Sequence, residues 1–189
     1  MVVGVIGLGL IGGSLAISLK KRGFASNIIG VDKNDDHCKK AIKLGFIDDT
    51  CELNDILNKV DLVILAIPVD AGKQLLPFLL DKVKIGQTII DMGSTKEGIC
   101  KVADSHINRK NFVASHPIAG TENAGPSAAF DGLYDDKITI ICDEEKSALK
   151  SIEVCRKLFE VLKMRVLKMD AKEHDRHIAY VSHLSHITS

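Results

Sequence analysis

Val2-Val3-Gly4-Val5-Ile6 runs straight into Gly7-Leu8-Gly9-Leu10-Ile11-Gly12-Gly13, and the reading of this stretch decides the fold. The β-branched run suits a covered strand. The glycines that follow, spaced G-x-G-x-x-G, suit a tight turn into a helix. Gly7 serves the turn, Gly9 leaves room for a pyrophosphate to approach the backbone, and Gly12 lets the helix pack on the strand. The helix N-terminus then offers N–H groups and a positive dipole to phosphate. About twenty residues past the last of these glycines, Asp32 ends Ile28-Ile29-Gly30-Val31. A carboxylate there accepts from ribose hydroxyls and repels a 2′-phosphate. Together these residues predict a dinucleotide site built on Gly7, Leu8, Gly9, Leu10, Ile11, Gly12 and Asp32. NAD is favoured over NADP, with Lys33 next door as the one residue that suits a phosphate.

The alternation continues down the chain. Short apolar runs at Val2–Ile6, Ile28–Val31, Leu62–Ile67, Thr88–Ile90, Phe112–Ala114, Ile138–Cys142 and Val166–Leu167 read as strands, with a weaker one near Thr50–Cys51. Helix-period stretches lie between them at Ser14–Arg22, Asp36–Leu44, Ala71–Leu80 and Ser147–Leu162. In the last, Leu149, Ile152, Cys155, Phe159 and Leu162 form one apolar stripe. Strands that are apolar throughout, alternating with helices, predict an α/β protein with a doubly wound, mostly parallel sheet. The stretch from His116 to Lys137 breaks the pattern; a loop of that size in a compact domain is usually functional. Ala171–Ser189 reads as a helix without a Gly or Pro stop, as if the chain were a piece of a longer one.

Composition narrows the function. The 189 residues carry 25 Lys+Arg and 25 Asp+Glu, with only 4% aromatics and no Trp. That balance argues against a nucleic-acid binder, which needs a basic face and stacking rings. Five scattered cysteines without a C-x-x-C pair fit reduced thiols in the cytoplasm rather than a disulfide frame. The uncharged run Met1–Leu19 is broken by five glycines and followed, not preceded, by Lys20-Lys21-Arg22. It is therefore expected to be neither a signal peptide nor a membrane span.

Three places in the second half carry chemistry. Ala66-Ile67-Pro68 ends a buried strand near the switch point of such a sheet, where ligands bind. Ser94 precedes Glu97 at capping-box spacing, which makes helix capping its expected main role, compatible with a hydrogen bond to substrate. His116 stands at a strand's carboxyl end, held extended by Pro117. An imidazole there can take a hydroxyl proton while hydride leaves the same carbon. Of the tail histidines, His174 and His177 share one side of a helix and His183 and His186 another, so no single metal cage is expected.

Taken together, Gly7–Gly12, Asp32, Ala66-Ile67-Pro68, Asp91-Met92-Gly93-Ser94-Thr95-Lys96, His116-Pro117-Ile118-Ala119-Gly120-Thr121-Glu122, His174-Asp175 and Ser182-His183-Leu184-Ser185-His186 resemble prephenate dehydrogenases over the whole chain. The resemblance implies a Rossmann-type domain over residues 1–169, with 170–189 beginning an all-α dimerisation and substrate domain. It implies NAD-dependent oxidative decarboxylation of prephenate, or of the related arogenate, on the route to tyrosine. His116 and Ser94 would be the catalytic pair. Glu122, Ser182 and His186 would meet the substrate, and Ala66, Pro68, Ser94 and Thr95 would join the glycine loop around the cofactor. Ser185 stands where the family often has proline, and the family's carboxylate-binding arginine has no counterpart in these residues. The expectation is a chain that binds NAD but turns prephenate over poorly, from a protein that forms a homodimer. Two rivals share the fold: another β-hydroxyacid dehydrogenase, and a non-catalytic dinucleotide sensor.

Overall fold

The computed structural model describes residues 1–187, with side chains described through residue 180. Strand β1 (Val2–Ile6) lies between β2 (Asn27–Val31) and β4 (Leu62–Leu65), parallel to both. From this centre the sheet runs in the order β3-β2-β1-β4-β5-β6-β7-β8. Here β3 is Asp49–Thr50, β5 Thr88–Asp91, β6 Phe112–Pro117, β7 Ile138–Cys142 and β8 Arg165–Met169. Every pair is parallel except β6 with β7. The order reverses between β1 and β4, so a crevice opens at their carboxyl ends, where ligands sit in such sheets.

The strands are apolar throughout because both faces are covered. Along β4, Ile64 joins Val3, Val5, Leu15, Leu19 and Phe159 in one hydrophobic layer. Its neighbours Val63 and Leu65 turn to the other face and join Ile6, Leu76, Leu79 and Ile99. The first layer packs under α1 (Leu10–Lys21) and α6 (Leu149–Val161), the second under α4 (Val69–Lys82) and α5 (Glu97–Asp104). Helices α2 (Asp35–Lys43) and α3 (Ile56–Lys59) complete the wrapping, and α7 (Ala171–Ile187) follows β8.

The structure moves several boundaries. Helix α1 begins at Leu10, four residues before the periodicity shows it, because the glycine loop itself forms the first turn. The weak third strand covers Asp49–Thr50 rather than Thr50–Cys51 and pairs only with β2. In the stripe of α6, Ile152, Cys155, Phe159 and Leu162 are buried, but Leu149 in the first turn is exposed. The segment after Pro117 is irregular apart from one 3₁₀ turn at Pro126–Ala128, yet it is tied down. Phe130 N–H donates to Ser14 Oγ at 3.0 Å, and Tyr134 O–H donates to the Ile11 carbonyl at 2.6 Å. The loop thus lies against α1, the helix that the glycine turn opens. Among the described residues, no helix is long and apolar enough to cross a membrane.

Candidate active site

The glycine turn is shaped by contact. Gly7 adopts φ +96°, and a Cβ on it would run into the carbonyl of Ala66. A Cβ on Gly12 would fall inside the Gly7 carbonyl oxygen. At Gly9 the opposite holds: no atom lies within 4 Å of where a Cβ would stand. The turn therefore closes tightly behind itself and stays open in front. Gly9 caps α1 with no side-chain hydrogen bond, which leaves the first amides of the helix for an incoming anion. The side chains of Leu8 and Leu10 are buried in the core, so these two residues face the crevice through backbone alone.

Asp32 closes the other end of this half. Its carboxylate accepts from Leu8 N–H and Asn34 N–H at 2.8 and 2.9 Å, and His37 Nδ1 lies 3.3 Å away. Burial alone would raise its pKa; the two backbone donors and His37 outweigh it and hold the carboxyl below its ordinary value. A carboxylate has about four lone-pair sites, so capacity remains for a diol. An open backbone cradle, uncapped amides and a fixed anion together fit a dinucleotide with an unphosphorylated ribose.

The second half converges on the same crevice. A cleft of about 310 Å³ is lined by Ile11 from the glycine loop, Ala66 and Pro68 after β4, Met92 and Ser94 after β5, and His116 from β6. A larger recess of about 450 Å³ lies at the carboxyl ends of β7 and β8, beside Asp143, Glu144 and Lys168, and contains no glycine turn and no histidine. Of the two, only the smaller cleft brings the glycine loop and a histidine together.

His116 is held from behind. Its Nδ1 lies 2.9 Å from His174 Nε2, and His174 Nδ1 lies 2.7 Å from Asp175 Oδ1. The rings meet edge to face, 5.1 Å between centroids. Burial first, then electrostatic opposition from His174 and Lys96 to a second positive ring, pushes the His116 pKa down from 6.5 to about 4. Asp175 opposes that shift only in part. At neutral pH the ring is an uncharged base.

Beneath it sits an ion pair. Lys96 is wholly buried; its Nζ pairs with the Asp91 carboxylate and donates to the Ser115 carbonyl at 2.8 Å. The Ser115 hydroxyl in turn donates to the Asp91 carbonyl at 2.6 Å. These contacts lock the Met92–Thr95 turn against β6.

The capping box expected at Ser94 is not formed. Helix α5 starts at Glu97, and its leading amides are taken by Asp175 of α7. Lys96 N–H and Glu97 N–H donate to the two carboxylate oxygens at 2.7 and 2.9 Å. A bidentate carboxylate is a stronger acceptor than a serine hydroxyl, so Ser94 is displaced from the cap and stands exposed at the cleft wall. Thr95 is exposed beside it. Glu122 is exposed in the loop after β6 and does not line the cleft. Ser182 and His186 fall on α7, but their side chains lie outside what the structure describes. Of the tail histidines, His174 is fully buried against His116, whereas His177 is exposed and keeps to its own helix, with Nδ1 2.8 Å from the Glu173 carbonyl.

The profile for "Prephenate dehydrogenase, nucleotide-binding domain" matches residues 15–168. The chain belongs to the prephenate dehydrogenase family. It is 33% identical over 186 residues to the prephenate dehydrogenase of Bacillus subtilis, covering 97% of this chain but 50% of that protein. The chain thus spans about half the length of that relative. Among solved structures it superimposes on prephenate dehydrogenase from A. aeolicus, crystallised with hydroxyphenyl propionate and NAD+, with a TM-score of 0.90 and 32% identity. That match covers 100% of this chain and 66% of the other. Arogenate dehydrogenase from Synechocystis gives a TM-score of 0.88 at 28% identity, over 97% of this chain and 65% of that one.

In this member of the prephenate dehydrogenase family, two features escaped the sequence reading. The Asp91–Lys96 pair carried a signal, an acid ending an apolar strand with a lysine five residues on, but nothing in that spacing shows burial. His174-Asp175 entered only as part of the family resemblance; its link to His116, made through His174, had no signal of its own, because it joins elements far apart in the chain.

Proposed function

We propose that the protein catalyses NAD-dependent oxidative decarboxylation of prephenate to 4-hydroxyphenylpyruvate. One observation carries this reading: His116 lines the same cleft as Ile11, Ala66, Pro68 and Ser94. A neutral base and a dinucleotide crevice therefore share one partly enclosed space. NAD, bound along Gly7–Gly12, Asp32, Ala66, Pro68, Ser94 and Thr95, supplies the hydride acceptor.

The residues do the rest. His116 takes the proton of the ring hydroxyl, which Ser94 orients by a hydrogen bond. Oxidation of the carbinol makes a carbonyl conjugated through the ring. The carboxylate then leaves as carbon dioxide, its C–C bond electrons aromatise the ring, and the resulting phenoxide takes back the proton from His116. Apolar Ile11, Ala66 and Met92 keep the cleft poor in water, which strengthens each of these polar contacts. Glu122 guards the entrance, and Ser182 and His186 meet the substrate from α7.

Residues 1–169 serve as the nucleotide domain, and 170–189 begin a helical domain through which the whole protein forms a homodimer. All five cysteines are free, which supports a reducing, cytoplasmic setting. Arogenate, named for the Synechocystis neighbour, is the second substrate to test. In the whole protein, replacing His116 by Asn is expected to abolish NADH formation from either acid while leaving NAD affinity unchanged. Retained turnover, followed by NADH absorbance, would refute the assignment.

A further inference from the structure

Three side chains in a row, His116, His174 and Asp175, join the cleft to the cap of α5, and their hydrogen bonds leave little freedom in where the protons lie. Asp175 accepts from three donors: Lys96 N–H, Glu97 N–H and His174 Nδ1. Its pKa is held low; burial opposes this, but His174 and the two backbone amides prevail. It is therefore an ionised acceptor with no proton to give. His174 must then carry hydrogen on Nδ1, and in the neutral ring Nε2 is left with a lone pair. At 2.9 Å from that lone pair, His116 Nδ1 must donate. The alternative would set two lone pairs against each other at a fully buried ring. One neutral imidazole holds one N–H, so His116 is left with a bare Nε2.

We propose that His174 and Asp175 are positioning residues that fix His116 in its Nδ1–H tautomer, so that Nε2 is the atom that accepts the substrate proton. This rests on the reading of His116 as the base of the reaction. When Nε2 takes the hydroxyl proton, a substrate O–H bond breaks and an N–H bond forms. The Nδ1–H of the resulting imidazolium already points at His174 Nε2. Passing that proton on places the positive charge on His174, beside the Asp175 carboxylate and one ring further from the buried ammonium of Lys96. The path then runs in reverse, and Nε2 returns its proton to the phenoxide once carbon dioxide has left. The proton never enters solvent, consistent with a reaction that consumes none overall. Among the described residues, the charged or titratable groups facing His116 are His174 and Asp175 from α7 and Lys96 from the β5–α5 turn.

The same arrangement explains why a carboxylate, and not Ser94, caps α5. One acid on α7 fixes both the helix behind the cleft and the proton order of its base. The link is tertiary, so any displacement of α7 disturbs both at once.

The test is the tautomer itself, read without substrate. In the 189-residue chain labelled with ¹⁵N-histidine, at neutral pH and with NAD present, the His116 ring is expected to show a protonated Nδ1 and an unprotonated Nε2. Its signals are assigned by their loss in His116→Asn. An Nε2–H ring, or an equal mixture, overturns the proposal. His174→Gln, whose amide oxygen can still accept from Nδ1–H, is expected to keep the Nδ1–H form. His174→Phe fills the volume but offers no acceptor, and is expected to release the ring to the Nε2–H form that free histidine side chains favour. A pure Nδ1–H ring in His174→Phe would show that His174 does not set it. None of these outcomes depends on turnover, so failure of the substrate assignment is separately visible in the NADH assay.

Discussion

The two halves of the crevice are built in different ways. On the β1–β2 side the parts are neighbours in sequence: a glycine turn, a helix start and Asp32, held together mainly by backbone contacts. On the β5–β6 side the parts come from Asp91, Lys96, His116, His174 and Asp175, and side chains hold them. A site made of backbone tolerates little change of shape at its glycines but much change elsewhere. A site made of buried polar side chains stands or falls with every partner, because each unpaired group then bears its full desolvation cost.

The sharpest break of this contrast is Lys96→Met. Stranding Asp91 as an unpaired buried charge is expected to cost about 3–5 kcal/mol, measured by urea denaturation. The double variant Asp91→Asn/Lys96→Met is expected to be more stable than Lys96→Met alone. If it is not, the pair is not the unit it looks like in the structure. Next comes Gly12→Ala on the other side. Its methyl group has nowhere to go, and overpacking of this kind costs about 1–3 kcal/mol. Calorimetric titration is expected to show that NAD binding falls with it, whereas Lys96→Met acts first on stability.

Acid should separate the halves next. A ring with pKa about 4 in the fold and 6.5 as its ordinary value binds more protons unfolded than folded between those values. Stability is thus fully present above about pH 6.5 and is lost as pH falls toward 4. The full shift corresponds to about 3 kcal/mol, nearer 2 after the solvent screening of a part-exposed ring. His116→Asn is expected to flatten that part of the pH–stability curve. Smallest is Ser94→Ala, expected to change stability by no more than about 0.5 kcal/mol, since its hydroxyl caps nothing. Loss of the Asp175 cap by Asp175→Ala is expected to cost about 1–2 kcal/mol. Equal Tm losses for the two variants would restore the capping box.

The contrast also marks how far the residues alone could be read. G-x-G-x-x-G after an apolar run, then Asp32 at its spacing, dictate a strand, a turn and a helix by steric necessity, and the structure places them so. The alternation of apolar runs settled a parallel sheet; the reversal of β7 did not show, since direction leaves no mark on which residues are apolar. His116 stood out because Pro117 and a strand end constrain it. Ser94 misled for the converse reason: spacing identifies a willing cap but not a stronger acceptor arriving from another helix.

What the sequence determined by itself, then, is whatever a few consecutive residues impose on their own backbone: the glycine turn, the acid at the end of β2, the covered strands and the place of His116 at a strand's carboxyl end. Only the tertiary structure decided that Lys96 is buried against Asp91 and that α7 lays His174 and Asp175 behind His116. Hydrogen-bond direction and charge burial depend on which distant groups meet. That meeting is set by the packing of whole helices on the sheet, which no local spacing encodes.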